Sequence, residues 1–408
     1  MMNRKDVWRM NSWIKVARLA WKNPQLAYNK IRTTFKNEIA AKADYYFRQG
    51  TASRPQAVCI KLTNACNLRC KMCGQPREGH VPGEAKYAPR EYFDQAVDLD
   101  VYKRVIDELA FIRPNLYLWG GEPFLYKEIL ELIRYSKARR YTVQINTNGM
   151  YLRRYARQIV ESGLDDLIVS IDGPEEVHDQ VRGLNGTFRL LKEGILAIQQ
   201  IKKELSLRFP LIRVRGTITP YNFETISALI GVANELQADS LNFNWTWFTT
   251  QQTGIAYQKM MKQVFDTDAV SWIPFETDVI LDPQKHYKYD GIKRELLRLI
   301  KSTSDLPISL SPFIKPDRVA EYYENIYETF GHKTCYSVYV KSYILPNGDV
   351  TPCPDFPDFI CGNIQDDSFL SIWNGERYRK WRQELKKRKL FPACYRCCDL
   401  FLSDVKFI

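Results

Sequence analysis

Cys66-Asn67-Leu68-Arg69-Cys70-Lys71-Met72-Cys73 sets three thiols at C-x3-C-x2-C spacing, directly after the apolar, β-leaning run Val58-Cys59-Ile60-Lys61-Leu62-Thr63. Three thiolates crowded into one short loop can hold three irons of a cubane cluster and leave the fourth iron without a protein ligand. An open iron is a reactive iron. The competing reading is a zinc knuckle closed by His80, which lies beyond Gly74, Pro76 and Gly79. Spacing alone leaves both open, so the surrounding chain has to decide.

At 408 residues, with 45% hydrophobic and 13% aromatic residues, the chain predicts a main globular domain plus a smaller one. Its ten cysteines fall in two groups, four between 59 and 73 and six between 335 and 398. That grouping speaks for metal-binding or catalytic thiols kept reduced, and against a disulfide framework. No continuous apolar h-region follows the basic N-terminus, and no stretch reaches the ~20 apolar residues of a membrane span. The expected location is the cytoplasm. Net charge is +12, and residues 1–50 hold most of it, with eleven Lys/Arg against Asp6, Glu38 and Asp44.

Within that extension Trp13, Val16, Ala17, Ala20 and Trp21 recur at helical spacing opposite Lys15, Arg18 and Lys22. Asn23-Pro24 reads as the start of a second helix with Ile31, Phe35 and Ile39 on one face. The pair either docks on the main domain or, through residues 1–22, meets an anionic membrane surface or substrate. From Val58 onward strand-like runs at 58–63, 115–119, 141–146, 167–171, 212–218 and 240–244 alternate with helical patterns at 91–112, 126–139, 151–162, 187–204 and 223–237. Such alternation predicts six parallel βα units forming an open, partial barrel.

Ligands of parallel α/β sheets sit at the carboxyl ends of the strands. There the chain places the three-cysteine loop, then Gly120-Gly121-Glu122-Pro123, then Asn146-Thr147-Asn148-Gly149, then Ser170 and Asp172-Gly173. Residues 246–331 are irregular and aromatic, with Trp247, Phe248, Trp272 and Phe275, and read equally as a pocket wall or as unparsed core. Farther on, Cys335 and Cys353 flank a predicted hairpin turning at Asn347-Gly348, and Cys394-Tyr395-Arg396-Cys397-Cys398 follows. Four cysteines with one C-x2-C pair suit zinc or an iron–sulfur cluster.

These residues together resemble the radical S-adenosylmethionine (SAM) enzyme superfamily over roughly residues 58–400. The resemblance implies that Cys66, Cys70 and Cys73 ligate a [4Fe–4S] cluster whose open iron binds SAM. Gly120-Gly121-Glu122-Pro123 is similar to the family's GGEP motif, which meets the methionine ammonium. It further implies that Asn146, Ser170 and Asp172 line the ribose and methionine side, and that Arg182 grips the carboxylate. The C-terminal part resembles a SPASM or twitch domain, with Cys335, Cys353, Cys394 and Cys397 as ligands of one auxiliary [4Fe–4S] cluster. Cys361 and Cys398 are left over, either able to replace one of the four. A two-cluster SPASM domain needs about seven cysteines, more than this segment carries.

The implied architecture is a partial (β/α)6 TIM-like barrel at 58–245, with an N-terminal helical extension at 1–57. A connecting region at 246–331 and a small α+β SPASM/twitch domain at 332–408 complete it. The implied chemistry is reductive cleavage of SAM to a 5′-deoxyadenosyl radical, then hydrogen abstraction from a carbon, with net oxidation through the auxiliary cluster. The expected substrate is a small polar or anionic metabolite such as a sugar, cyclitol or lipid-linked intermediate. The alternative is maturation of a ribosomal peptide, and a third class is a non-catalytic iron–sulfur or zinc protein on nucleic acid. An electron donor such as flavodoxin or ferredoxin is the expected partner, with no nucleic acid.

Overall fold

Val58, Ile60 and Leu62 are buried in a hydrophobic layer while Cys59 and Lys61 take the opposite face, a period of two that makes strand β1 (Ala57–Lys61). The computed structural model describes residues 39–78, 87–276, 289–354, 356–404 and 406–407. The basic helices expected before residue 39, and His80, lie outside them. Next to β1 run β2 (Asn115–Trp119), β3 (Val143–Thr147), β4 (Asp166–Ser170), β5 (Leu211–Ile218), β6 (Ser240–Trp245) and β7 (Ile308–Ser311), every pair parallel.

Six of these strands match the expected runs, and the partial barrel stands. Its crossovers include α1 (Leu99–Glu108), α2 (Ile129–Ala138), α3 (Leu152–Glu161), α4 (Glu175–Arg182), α5 (Thr187–Glu204) and α6 (Leu229–Glu235). The single helix expected over 91–112 is two, Arg90–Asp94 and Leu99–Glu108. Between them the buried Val97 gives its carbonyl to the Tyr126 hydroxyl at 3.0 Å. An acceptor engaged sideways is consistent with a break in the helical ladder there.

The irregular stretch after 245 hides regular structure. It supplies α7 (Gln251–Phe265), α8 (Tyr289–Lys301) and β7, which extends the barrel by a seventh parallel strand. Trp245, Phe248 and Trp272 are buried core, whereas Trp247 and Phe275 are half-buried, so the two readings divide the aromatics between them. Trp245 Nε1 ties β6 to the chain after β7 by donating to the Pro312 carbonyl at 2.9 Å.

The C-terminal segment does not fold apart from the barrel. Strand β8 (Lys341–Ile344) pairs parallel with the free edge of β1, and β9 (Asp349–Thr351) returns antiparallel through the expected Asn347-Gly348 turn, where Gly348 has φ +86°. With β10 (Gly362–Asn363) and β11 (Lys406–Phe407) the described residues make one eleven-stranded sheet, order β10-β9-β8-β1-β2-β3-β4-β5-β6-β7-β11. Covering the β1 edge satisfies its ladder of backbone groups.

Helix α9 (Glu376–Arg388) fastens the C-terminal segment to the stretch just before β1. Its fully buried Arg382 donates from Nε to the Val338 carbonyl at 2.8 Å and from NH1 to the Trp373 and Gly50 carbonyls at 2.8 and 3.2 Å. The guanidinium also lies 4.2 Å from the Trp373 ring centroid and 4.1 Å from that of Tyr378. Arg382→Ala strands several buried carbonyls and is expected to cost about 3 kcal/mol, read as a fall in the urea midpoint at unchanged m-value.

Candidate active site and auxiliary cluster site

The cysteine loop follows β1 and is held by one backbone bond from α4's end and by two bonds of its own. Lys71 N donates to the Val181 carbonyl at 2.9 Å, Cys73 N to the Cys70 carbonyl at 3.2 Å, and Arg69 NH1 to the Cys66 carbonyl at 2.9 Å. The loop thus turns back at the carboxyl end of the sheet with its three thiols grouped. Burial raises the Cys66 thiol to about 11, and the nearby Cys70 and Cys73 thiols add to that. Burial also raises Cys70, against the opposing pull of Arg182.

Gly120 and Gly121 lie against this loop. A Cβ on Gly120 would sit 2.6 Å from the Thr63 carbonyl oxygen, and one on Gly121 only 2.1 Å from that of Ala65. Gly121 N and Glu122 N donate to those same carbonyls at 2.8 Å. The close approach that demands glycine is therefore to the cysteine loop itself.

Glu122 is fully buried and braces two strand ends. Its carboxylate accepts from Phe124 N at 3.1 Å, Thr147 Oγ1 at 2.7 Å and Asn148 N at 2.9 Å. Burial pushes its pKa up to about 7 against those bonds. Pro123 begins the short turn that Glu122 caps. Asn148 Nδ2 in turn donates to Asn67 Oδ1 at 2.8 Å, closing the circuit from β3 back to the cysteines.

Arg182 ends α4 beside Cys70. Its NH1 is 3.8 Å from the Cys70 sulfur and its NH2 2.7 Å from Asp172 Oδ2, both side chains being nearly buried. Asp172 also accepts from Thr217 N at 3.3 Å, so its carboxylate serves Arg182 and β5. His178 accepts from Asp172 N at 3.3 Å and is held neutral, burial pulling its pKa down to about 3. Arg182 Nε and Asn146 Oδ1 are buried without a partner, and Ser170 is half-buried at the end of β4.

The second cysteine group packs on the C-terminal side of the sheet. Cys335 precedes β8, Cys353 follows β9, and Cys394 and Cys397 share one tight turn, Cys397 N donating to the Cys394 carbonyl at 3.1 Å. Burial pushes Cys394 up to about 12, and Cys335 adds to the shift. Tyr257 on α7 is raised by burial first, then by Asp358, Cys353 and Cys394, which places those two thiols near one phenol. The leftover cysteines diverge: Cys361 lies near Arg382 and Arg377, while Cys398 acts on Cys59, Lys341 and Tyr343 at the barrel interior. Among the described residues no three His, Cys, Asp or Glu side chains converge on one ion. A cubane asks for something else, one thiolate on each iron corner.

Residues 60–214 match the family model of the radical SAM superfamily, and residues 335–398 match that of the SPASM iron–sulfur cluster-binding domain. This is a radical SAM enzyme with a SPASM domain. The AdoMet-dependent heme synthase of Methanosarcina barkeri is 29% identical over 81% of this chain and 86% of its own length. The mycofactocin maturase MftC of Mycolicibacterium smegmatis is 26% identical over 83% of this chain and 75% of its own. The structure of Streptococcus suis SuiB bound to S-adenosylmethionine has the same fold, with a TM-score of 0.57 at 15% identity over 88% of this chain and 74% of that one.

A radical SAM domain binds a [4Fe–4S] cluster and SAM, and a SPASM domain binds auxiliary iron–sulfur clusters. The side chains of this radical SAM enzyme fit those groups: grouped soft thiols, a buried Arg182 with an unused Nε beside Cys70, and a buried, unpartnered Asn146 Oδ1 on β3. Sequence reasoning passed over Lys61, Tyr117, Trp119 and Arg215: Lys61 is in register with Trp119 and Cys59 with Tyr117, whose hydroxyl meets Arg215 NH1 at 3.1 Å. The available signal was a lysine on a strand otherwise buried on both faces. No helix among the described residues is long and apolar enough to cross a membrane.

Proposed function

We propose that this enzyme abstracts hydrogen from a carbon of a peptide substrate. In this reading Cys66, Cys70 and Cys73 hold the SAM-binding cluster, and Cys335, Cys353, Cys394 and Cys397 hold the auxiliary one. The observation that carries it is the alignment with a relative named as a maturase across 83% of the chain. The sugar, cyclitol or lipid-linked metabolite expected from sequence has no counterpart among the relatives named above. A tetrapyrrole substrate is the second reading, favoured by the heme synthase at higher identity over a similar span.

When bound, the cluster and SAM supply an electron and the radical that takes the hydrogen atom. The chain supplies position. Arg182, neutralised on one side by Asp172, keeps Nε for a carboxylate oxygen of SAM, and Asn146 offers Oδ1 to a hydroxyl or ammonium donor. Gly120-Gly121-Glu122-Pro123 and Asn148 hold those groups in register with the cysteines, so the site is built before ligand arrives. Trp247, packed edge-on against Phe275 and Phe356 at 3.9 and 4.8 Å between centroids, is the aromatic wall proposed to exclude water.

The test is anaerobic turnover with SAM and dithionite, offering peptides encoded by short reading frames beside the gene and, separately, coproporphyrin haem. SAM-dependent loss of two hydrogens from a peptide supports the reading, and modification of the tetrapyrrole alone overturns it. Iron content is a separate prediction: reconstituted protein is expected to carry about eight irons per chain, two cubanes. A value near four by colorimetric iron assay would leave the C-terminal cysteines without a cluster.

A further inference from the structure

We infer that Lys61 and Arg215 form a carboxylate-binding subsite inside the barrel, which selects a substrate bearing an acidic group next to the carbon attacked. The inference rests on the proposed hydrogen-abstraction reading and names the substrate chemistry of that site. Lys61 is the last residue of β1, only 8% exposed, in register with Trp119 on β2. Its ammonium lies 5.7 Å from the Trp119 ring centroid and makes no hydrogen bond or ion pair among the described residues. Two residues back on the same face, Cys59 is in register with Tyr117. The Tyr117 hydroxyl meets Arg215 NH1 at 3.1 Å, although Arg215 belongs to β5, three strands farther round the sheet. Only the interior of a curved sheet allows that bond, so Lys61, Trp119, Tyr117 and Arg215 share the barrel lumen.

Among the described residues neither cation has a carboxylate partner; the one charged neighbour of Lys61 is the Cys73 thiol. Asp166 is taken by Arg213 at 2.6 Å, Asp172 by Arg182 at 2.7 Å and Asp399 by Lys341 at 3.3 Å. Glu122 spends its oxygens on Phe124, Thr147 and Asn148. Arg215 Nε and Trp119 Nε1 are buried donors without acceptors. A lumen with two cations lacking a carboxylate partner and two unfilled N–H donors is costly unless an anion completes it. A carboxylate suits these donors, since it accepts from a guanidinium, an indole or an ammonium. Its two available sources are an acidic peptide side chain and a tetrapyrrole propionate.

The experiment uses the reconstituted full chain with SAM under anaerobic conditions, titrated by calorimetry with two probe pairs. One is the capped peptide Gly-Glu-Gly-Asp-Gly and its Gln/Asn counterpart; the other is coproporphyrin III and its tetramethyl ester. Wild type is expected to bind the acid of at least one pair and not its neutral partner, and which pair binds identifies the source. Lys61→Gln and Arg215→Gln are each expected to weaken that binding by at least about tenfold, the loss expected for a charge-assisted bond. Lys61→Arg and Arg215→Lys are expected to restore part of it, and iron content and SAM affinity serve as checks that each variant is intact. Binding indifferent to both residues overturns the subsite, as does no acid-selective binding by either pair. A shift in cluster potential or SAM affinity with unchanged probe binding also overturns it, by making Lys61 a counter-ion of the cluster. If neither peptide nor tetrapyrrole is modified in turnover while acid binding still depends on Lys61 and Arg215, the proposed function fails and the subsite stands.

Discussion

Cys70→Ala is expected to abolish SAM cleavage, whereas Cys394→Ala is expected to leave cleavage intact and lose the modified product. Cys70 is the central thiol of its loop and the neighbour of Arg182 NH1 at 3.8 Å, so its loss removes a proposed iron ligand and one partner of a buried guanidinium at once. Changing groups one shell outside a metal already costs about 10–100-fold, so loss of the ligand itself should leave under about 1% of the wild-type rate. Cys394 sits on the tight turn Pro392–Arg396, near Cys335 and Tyr257 and remote in sequence from the cysteine loop. Chromatographic measurement of 5′-deoxyadenosine, beside mass spectrometry of the substrate, separates the two. Equal loss of 5′-deoxyadenosine in both variants would deny the C-terminal cluster a separate, downstream role.

Gly121→Ala is the other large effect. The added methyl would meet the Ala65 carbonyl oxygen at 2.1 Å, and neither partner can swing aside because Gly121 N and Glu122 N are bonded to the same stretch. The loop must open, dragging Glu122 away from Thr147 and Asn148 and the cysteines away from Arg182. SAM affinity should fall about 100-fold, as misplacement by about 1 Å can cost in a pre-built site. Stability should fall by about 1–3 kcal/mol. Gly231→Ala is the control, since its methyl meets nothing within 4 Å on helix α6 and should stabilise by up to about 1 kcal/mol. Calorimetric SAM titration and thermal melts on both variants check the pair; matching behaviour would mean the loop yields more readily than its contacts imply.

The barrel strands were legible because each pairs an apolar period with turn residues at its carboxyl end, as in Val143–Thr147 running into Asn148-Gly149. Strand β7 was not, because Ile308–Ser311 is short, lies among prolines and is identified only by its neighbour β6. Glu122 and Asp172 show the same divide inside the site. Their place at the rim follows from sequence, but their bonding to Thr147, Asn148 and Arg182 depends on groups 10 to 26 residues away.

By itself the sequence determined the three-cysteine loop, the order of the rim motifs and the existence of a second thiol group, since local spacing and strand period are properties of neighbouring residues. Tertiary structure alone decided that β8 completes the barrel edge at β1, that the two glycines are demanded by Thr63 and Ala65, and that Arg215 meets Tyr117 from three strands away. Those facts arise where distant segments share a surface, and no local pattern encodes which surface that will be.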